Sequence, residues 1–358
     1  MAFNSRIRFA AALMAGFSLS SAALNPCKFS FGVGWNGLDK SYAEASDYVT
    51  IWAGGDENWN TYWIGDMLKA TRPGGKLAGK TPVFYAYIIA FTARRDLGLQ
   101  DCNVGSPNLC QKGSNYIRQQ KSRILSQYTK YATEAAKVMG SDPVLWLMEP
   151  DYYQYAQPGS QQEGGPLSFA EAGAFMNEIV ATIKKAMPNA IFSLDISPWI
   201  AEPAKWYSSF RMEDYTYINT SGGGTDANNA KIRAANNMTW KSIYDLTKKP
   251  IIADDGYGVA GSSTFHDATW DDVNNLKARI ADGVVAVSQA NPKSDWNPTL
   301  TSLQSQLPKP ACTTALRTLA AGPARSYGSI RWDALGRPLS LVRAHPAKVV
   351  PLGAPVGR

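Results

Sequence analysis

Eight short β-rich apolar runs, separated by spacers long enough for helices, constrain this chain more than any other feature. They are Ser30–Val33, Tyr48–Ala53, Pro82–Ile89, Val144–Met148, Ala190–Ile196, Tyr215–Asn219, Pro250–Ala253 and Val284–Ser288. The clearest helical patterns between them are Ile117–Val138, Phe169–Ala186 with Ser168 as N-cap, and Trp270–Ala281. Asp271 and Asp272 stand near the start of that last helix, where the dipole favours anions. Strands alternating with helices imply parallel βαβ units and right-handed crossovers. Eight such units imply a single closed (β/α)₈ TIM-type barrel, with local distortion accommodated, over about 280 residues. A doubly wound open sheet would want a glycine-rich phosphate turn after its first strand. Gly32 to Gly37 instead places Trp35 and Asn36 where small side chains are needed. No sequence period suggests a solenoid or propeller.

The 358-residue chain carries a net charge of +7, which invites a nucleic-acid reading. The location of that charge argues otherwise. From residue 308 onward Lys309, Arg317, Arg325, Arg331, Arg337, Arg343, Lys348 and Arg358 face Asp333 alone, so residues 1–307 are net neutral. A polyanion-binding fold needs its cations clustered on the folded face, and no nucleic-acid partner is expected. Residues 1–23 read as a secretory signal peptide: Arg6 and Arg8, an apolar stretch from Phe9 to Leu19, then small residues at Ser21-Ala22-Ala23. That stretch is too short to span a membrane, so the expectation is a secreted, monomeric protein with a barrel over 24–314. Residues 315–358, broken by prolines, read as a basic, poorly ordered tail.

Four cysteines in an exported chain point to disulfides. Cys102 and Cys110 bracket one polar loop and are paired locally, which leaves Cys27 with Cys312. No CxxC spacing supports zinc, and no metal or other cofactor is expected.

In a barrel of this kind chemistry collects at the C-terminal ends of the strands. The fourth run ends Leu147-Met148-Glu149-Pro150-Asp151, and a period of two would aim Glu149 and Asp151 the same way. The fifth run carries Asp195 and leads to Trp199, the sixth ends at Asn219, and the seventh leads into Asp254-Asp255-Gly256-Tyr257. The first two bring Trp35 and Trp52 to the same end. Clustered carboxylates suit glycosidic bond cleavage, in which one stays protonated for the leaving oxygen and another activates water or attacks the sugar. Crowding raises the pKa of one of them. Trp35, Trp52, Trp199 and Tyr257 offer flat faces for sugar rings, and Asn219 offers an amide. The candidate catalytic set is therefore Asp151, Glu149, Asp195 and Asp254, with Trp35, Trp52, Trp199, Asn219 and Tyr257 as substrate-binding residues. A serine triad lacks a G-x-S-x-G elbow, and Walker-type loops are absent.

Leu147-Met148-Glu149-Pro150-Asp151 resembles the strand-end E-P-D of glycoside hydrolase family six, the inverting cellulases. That resemblance implies Asp151 as general acid, and Ser193-Leu194-Asp195, similar to the family's L-D strand, implies a supporting role for Asp195. Arg95-Asp96 and Asp101-Cys102 echo its R-D-C segment. Glu149-Pro150 also resembles the N-E-P of the clan of retaining (β/α)₈ glycosidases, which implies Glu149 as acid/base, with Met148 standing in place of Asn. Both resemblances imply hydrolysis of a β-linked, glucan-like polysaccharide. A non-catalytic carbohydrate-binding barrel is the alternative from a different class.

Overall fold

The computed structural model describes residues 24–308 apart from positions 26, 36, 38–42, 103, 158–162, 221–224, 234–236, 256–266 and 290–295. The proposed leader, the tail, Tyr257 and Cys312 lie outside the described residues. Eight strands form a closed, all-parallel barrel in sequence order: β1 (Ser30–Gly34), β2 (Tyr48–Ala53), β3 (Thr81–Ala86), β4 (Leu145–Met148), β5 (Ile191–Ile196), β6 (Tyr217–Thr220), β7 (Ile251–Asp254) and β8 (Val284–Gln289). Closure comes from β8 returning to β1, with Ser30 paired to Ala286 and Val33 to Gln289.

Around it lie α1 (Ile64–Thr71), α2 (Ile88–Leu97), α3 (Leu109–Met139), α4 (Tyr152–Ala156), α5 (Phe169–Ala186), α6 (Pro203–Ser208), α7 (Trp240–Thr247), α8 (Val273–Ala281) and α9 (Asn297–Gln306). The β2 run and the α5 pattern match their expected limits, and in α5 Ser168 forms a capping box with Glu171. The third run was expected to continue to Ile89, but β3 stops at Ala86 and Ile88-Ile89 opens α2. The long helix α3 begins at Leu109, capped by Asn108 and Gln111, rather than at Ile117. The last expected helix is divided into a 3-10 turn, Ala268–Asp271, and α8, whose N-cap is Asp272.

Strand alternation sorts the side chains into two cores. Tyr48, Val83, Tyr85, Leu145, Leu147, Tyr217, Ile252 and Ala286 fill the barrel lumen, and Leu24 joins them. The alternate residues, such as Phe31, Val49, Phe84, Trp146, Phe192 and Ile218, pack under the helices. Lumen packing demands small residues locally: a Cβ on Gly32 would sit 2.0 Å from the Tyr48 ring.

Cys102 and Cys110 are disulfide-bonded, closing the loop before α3. Cys27 is disulfide-bonded as well. Among the described residues no helix is long and apolar enough to cross a membrane.

Candidate active site

The site is built on the lumen faces of β5, β6 and β7 and on the turn after β4. Ser193 and Asp195 point into the barrel on β5, because their neighbours Leu194 and Ile196 belong to the outer core. Asp195 pairs in register with Asn219 on β6, and Asn219 with Ile252 on β7. Two residues beyond Ile252, Asp254 pairs with Ser288. Asp195, Asn219 and Asp254 thus occupy one polar band above the apolar floor of the lumen. Ser197 Oγ donates to Asp195 Oδ2 at 3.0 Å. The Asp254 main-chain N–H donates to Thr220 Oγ1 at 2.8 Å.

Burial, reinforced by the charge of Asp254, holds the Tyr48 and Tyr85 phenols well above the ordinary tyrosine range. Tyr48 and Ser288 share a 2.8 Å hydrogen bond across the lumen. Asn219 is fully buried, and neither polar atom of its amide meets a hydrogen-bond partner among the described residues. A buried amide left in that state costs on the order of 1–3 kcal/mol, which makes the band receptive to a polar guest.

The turn after β4 departs from expectation. Glu149 has φ +43° and Asp151 φ +66°. These left-handed conformations break the period of two after Met148, so Leu145 and Leu147 face the lumen while the two carboxylates part company. Glu149 turns into the helix layer, where Tyr128 on α3 and Tyr155 on α4 donate to it. The main-chain N–H of Ile89 donates to the same carboxylate at 2.8 Å. The expectation that Glu149 and Asp151 share one face is therefore overturned. Glu149 is fully buried, and burial raises its pKa from 4.5 to about 7 against the lowering effect of those three donors.

Asp151 is half-buried at the rim, at the N-cap position of α4, where Gln154 Nε2 donates to Oδ1 at 2.6 Å. Its pKa is also raised to about 7, first by burial and then by the nearby charge of Asp101, while Arg233 and the Gln154 hydrogen bond oppose the shift. Tyr87 stands at the same place, its hydroxyl donating to Asp101 Oδ1 at 2.9 Å. Arg94 pairs with Asp101 at 2.8 Å.

The expected aromatic residues take different positions. Trp52 stacks on Tyr85 with ring centroids 4.8 Å apart and planes 19° apart, inside the mouth. Trp199, half-buried on the turn after β5, carries the Arg233 guanidinium 5.0 Å from its ring centroid. It also lines a cleft of about 570 Å³ with Pro198, Ile200, Pro203, Met238 and Leu246. Trp35 lies outside the lumen, because β1 turns Phe31 and Val33 outward and Trp35 follows them; its partner is Trp63 at 6.4 Å. Among the described residues no group of three or more His, Cys, Asp or Glu side chains converges as a metal site would.

Sequence reasoning singles out none of Tyr85, Tyr87 and Arg233 as site residues, whereas Asp101 lies in the segment that resembles R-D-C. Tyr85 was within reach, since it alternates with Val83 on a recognised strand. The proximity of Arg233 to Trp199 and Asp151 depends on the path of the connection after β6, for which no sequence signal exists.

No family model matches the chain, and no curated protein matches it. Among solved structures it is similar to a modular family 26 endo-β-1,4-mannanase from Cellulomonas fimi, with 11% identity over 85% of this chain and 79% of the other and a TM-score of 0.49. The catalytic domain of a family 26 endo-β-1,4-mannanase from Bacillus sp. JAMB-750 is similar at 10% identity, covering 85% and 93% of the two chains, again with a TM-score of 0.49. A family 5 glycoside hydrolase from Prevotella bryantii B14 shares 11% identity over 81% and 97%, with a TM-score of 0.44. The barrel itself rests on its strand pairing.

Proposed function

We propose that this protein is a secreted glycoside hydrolase that cleaves a β-linked polysaccharide with carboxylate acid and base groups at the mouth of its barrel. The observation that carries this reading is the placing of Asp151, Asp195 and Asp254 at the C-terminal ends of β4, β5 and β7, with Asp151 held protonated up to about pH 7. A neutral carboxyl at the rim can donate its proton to the departing glycosidic oxygen near neutral pH. Asp195 or Asp254 then acts on the opposite side of the sugar, as a base toward water or as the nucleophile. Asn219 offers one acceptor and one donor to adjacent sugar hydroxyls, and Trp52 on Tyr85 gives a flat floor for a ring. Arg233 and Trp199 complete the other wall.

Glu149 is best read as a brace rather than the acid, since its carboxylate is enclosed by Tyr128, Tyr155 and Ile89. It holds the turn that presents Asp151. The test is Asp151→Asn, with folding checked by circular dichroism, assayed on a panel of β-linked polysaccharides. Hydrolysis should fall by about 10²–10⁴-fold, the usual consequence of losing a general acid. Undiminished hydrolysis would remove Asp151 from the role. Proton NMR of the first-formed products then decides between inversion and retention. Binding of polysaccharide by the unaltered protein without release of products would establish the non-catalytic barrel instead.

A further inference from the structure

We infer that Tyr62 and Trp63 form a carbohydrate ledge outside the mouth, which holds a polysaccharide chain where it emerges from the cleft. This inference rests on the glycosidase reading above and adds to it a preference for polymer over short substrates. Among the described residues these are the two exposed aromatic side chains, Tyr62 at 87% and Trp63 at 44%. They are neighbours on the connection from β2 to α1, which leaves the same end of the barrel as Asp195 and Asp254.

Their exposure is not the by-product of a loose connection, because the backbone leading to them is fastened at nearly every residue. Arg95 donates to the Gly54 and Gly55 carbonyls, the latter at 2.9 Å. Arg123 grips Glu57 through both terminal nitrogens at 3.1 and 2.9 Å and also binds Asp96 at 2.7 Å. Gln127 donates to Glu57 at 3.0 Å, Tyr131 to the Asp56 carbonyl at 2.9 Å, and Lys130 to the Glu57 carbonyl at 3.1 Å. Finally Asn60 Oδ1 accepts the Trp63 N–H at 2.8 Å. Helices α2 and α3 therefore present two apolar rings to solvent on a fixed support. Preorganised rings lose little entropy on binding, which is what a weak stacking site requires.

The ledge lies beside the C-terminal end of β2. Trp63 meets Trp35 edge to face at 6.4 Å, and the Trp35 N–H donates to the Thr50 carbonyl of β2 at 2.8 Å. Two residues further along that strand is Trp52, already inside the mouth on Tyr85. The ledge and the mouth thus share the C-terminal end of β2, with Trp63 and Trp35 outside the barrel wall and Trp52 inside it. The chemistry of the ledge fits the apolar face of a pyranose ring in an uncharged chain. One stacked ring binds weakly, so the ledge favours substrates long enough to reach from it to the mouth.

The test compares the unaltered protein with Tyr62→Ala/Trp63→Ala, and with Tyr62→Phe/Trp63→Phe, which keeps the flat faces. Each is assayed on hydroxyethylcellulose, galactomannan and an aryl glycoside, and run in native gels containing each polymer. The alanine pair should keep its melting temperature, raise KM for the attacked polymer roughly five- to tenfold with kcat unchanged, and leave the aryl glycoside rate as it was. Its retardation in the polymer gel should be lost, and the phenylalanine pair should restore it. Unchanged KM and retardation on the polymer would overturn the ledge, as would equal losses on polymer and aryl glycoside. If the unaltered protein hydrolyses nothing, the glycosidase reading fails separately: retardation abolished by the alanine pair still upholds the ledge, and its absence in both proteins overturns it. Self-association that the alanine pair abolishes, without any effect on polymer, would assign the rings to a second copy of this chain and overturn the proposal.

Discussion

Replacing Glu149 by Gln isolates the energetic consequence of a carboxylate locked between three donors. Burial raises its pKa from 4.5 to about 7, so in the folded protein the proton is retained across a range where the unfolded chain has already released it. A raised pKa of this kind adds stability that is full below pH 4.5 and lost as the pH climbs through about 7. The difference corresponds to about 3 kcal/mol at 1.36 kcal/mol per pH unit. Glutamine preserves the shape and one acceptor oxygen, which can still receive the Ile89 N–H and one phenol, but it does not titrate.

Urea unfolding of both proteins at pH 5, 6, 7 and 8 gives the relevant free energies. The stability of Glu149→Gln relative to the unaltered protein should improve by about 2–3 kcal/mol between pH 5 and pH 8. Asp151 also has a raised pKa, but it is present in both proteins and its effect cancels in the comparison. Parallel stability curves across this range would refute the argument, since they would mean that Glu149 binds its proton no more tightly folded than unfolded. A loss of more than about 3 kcal/mol at every pH would equally refute the claim that Gln fits the three-donor cage.

Two further outcomes follow from the geometry. If Asp151 is the proton donor, kcat/KM should decline as pH rises through about 7, and the alkaline limb should vanish in the residual activity of Asp151→Asn; a limb unaltered by that substitution would assign it to another group. Gly113→Ala should destabilise the protein by about 1–3 kcal/mol, because its Cβ would lie 2.6 Å from Tyr155 Cβ and 2.7 Å from the Tyr155 carbonyl. Differential scanning calorimetry against Gly105→Ala, whose Cβ approaches nothing nearer than 3.7 Å, checks it; equal melting temperatures would show that α3 and α4 can move apart without penalty.

Sequence logic reached the barrel because period and punctuation agree over long segments. The short β-rich run Tyr48–Ala53 names a strand to the residue, and Ser168 as N-cap names a helix start to the residue. It failed where local chemistry is ambiguous. An unbroken apolar run such as Pro82–Ile89 does not say where a strand yields to a helix, and it covers both the end of β3 and the start of α2. The start of α3 is weakly marked because Gly113 and Ser114 dilute the helical pattern, although Asn108 and Gln111 form a readable cap. At the site, the strand ends located Asp195, Asn219 and Asp254, since each lies where the period of two still holds. Beyond Met148 it does not hold. The residue before a proline is normally extended, yet Glu149 is left-handed, and only the packed tyrosines of α3 and α4 account for that. Arg233 and Tyr87 reach Asp151 through tertiary folding and have no local signature.

The pairing of β8 with β1 also sets a timetable. At about 5–20 residues per second, synthesis separates Ser30 from Gln289 by roughly 10–50 s. Throughout that interval Ser30–Gly34, buried at all five positions in the finished barrel, has no neighbour on one side. Such an edge is a template for pairing with another nascent chain. Barrel closure therefore waits for β8, and the yield of folded protein should depend on how well the cell shields one five-residue strand until the last one arrives.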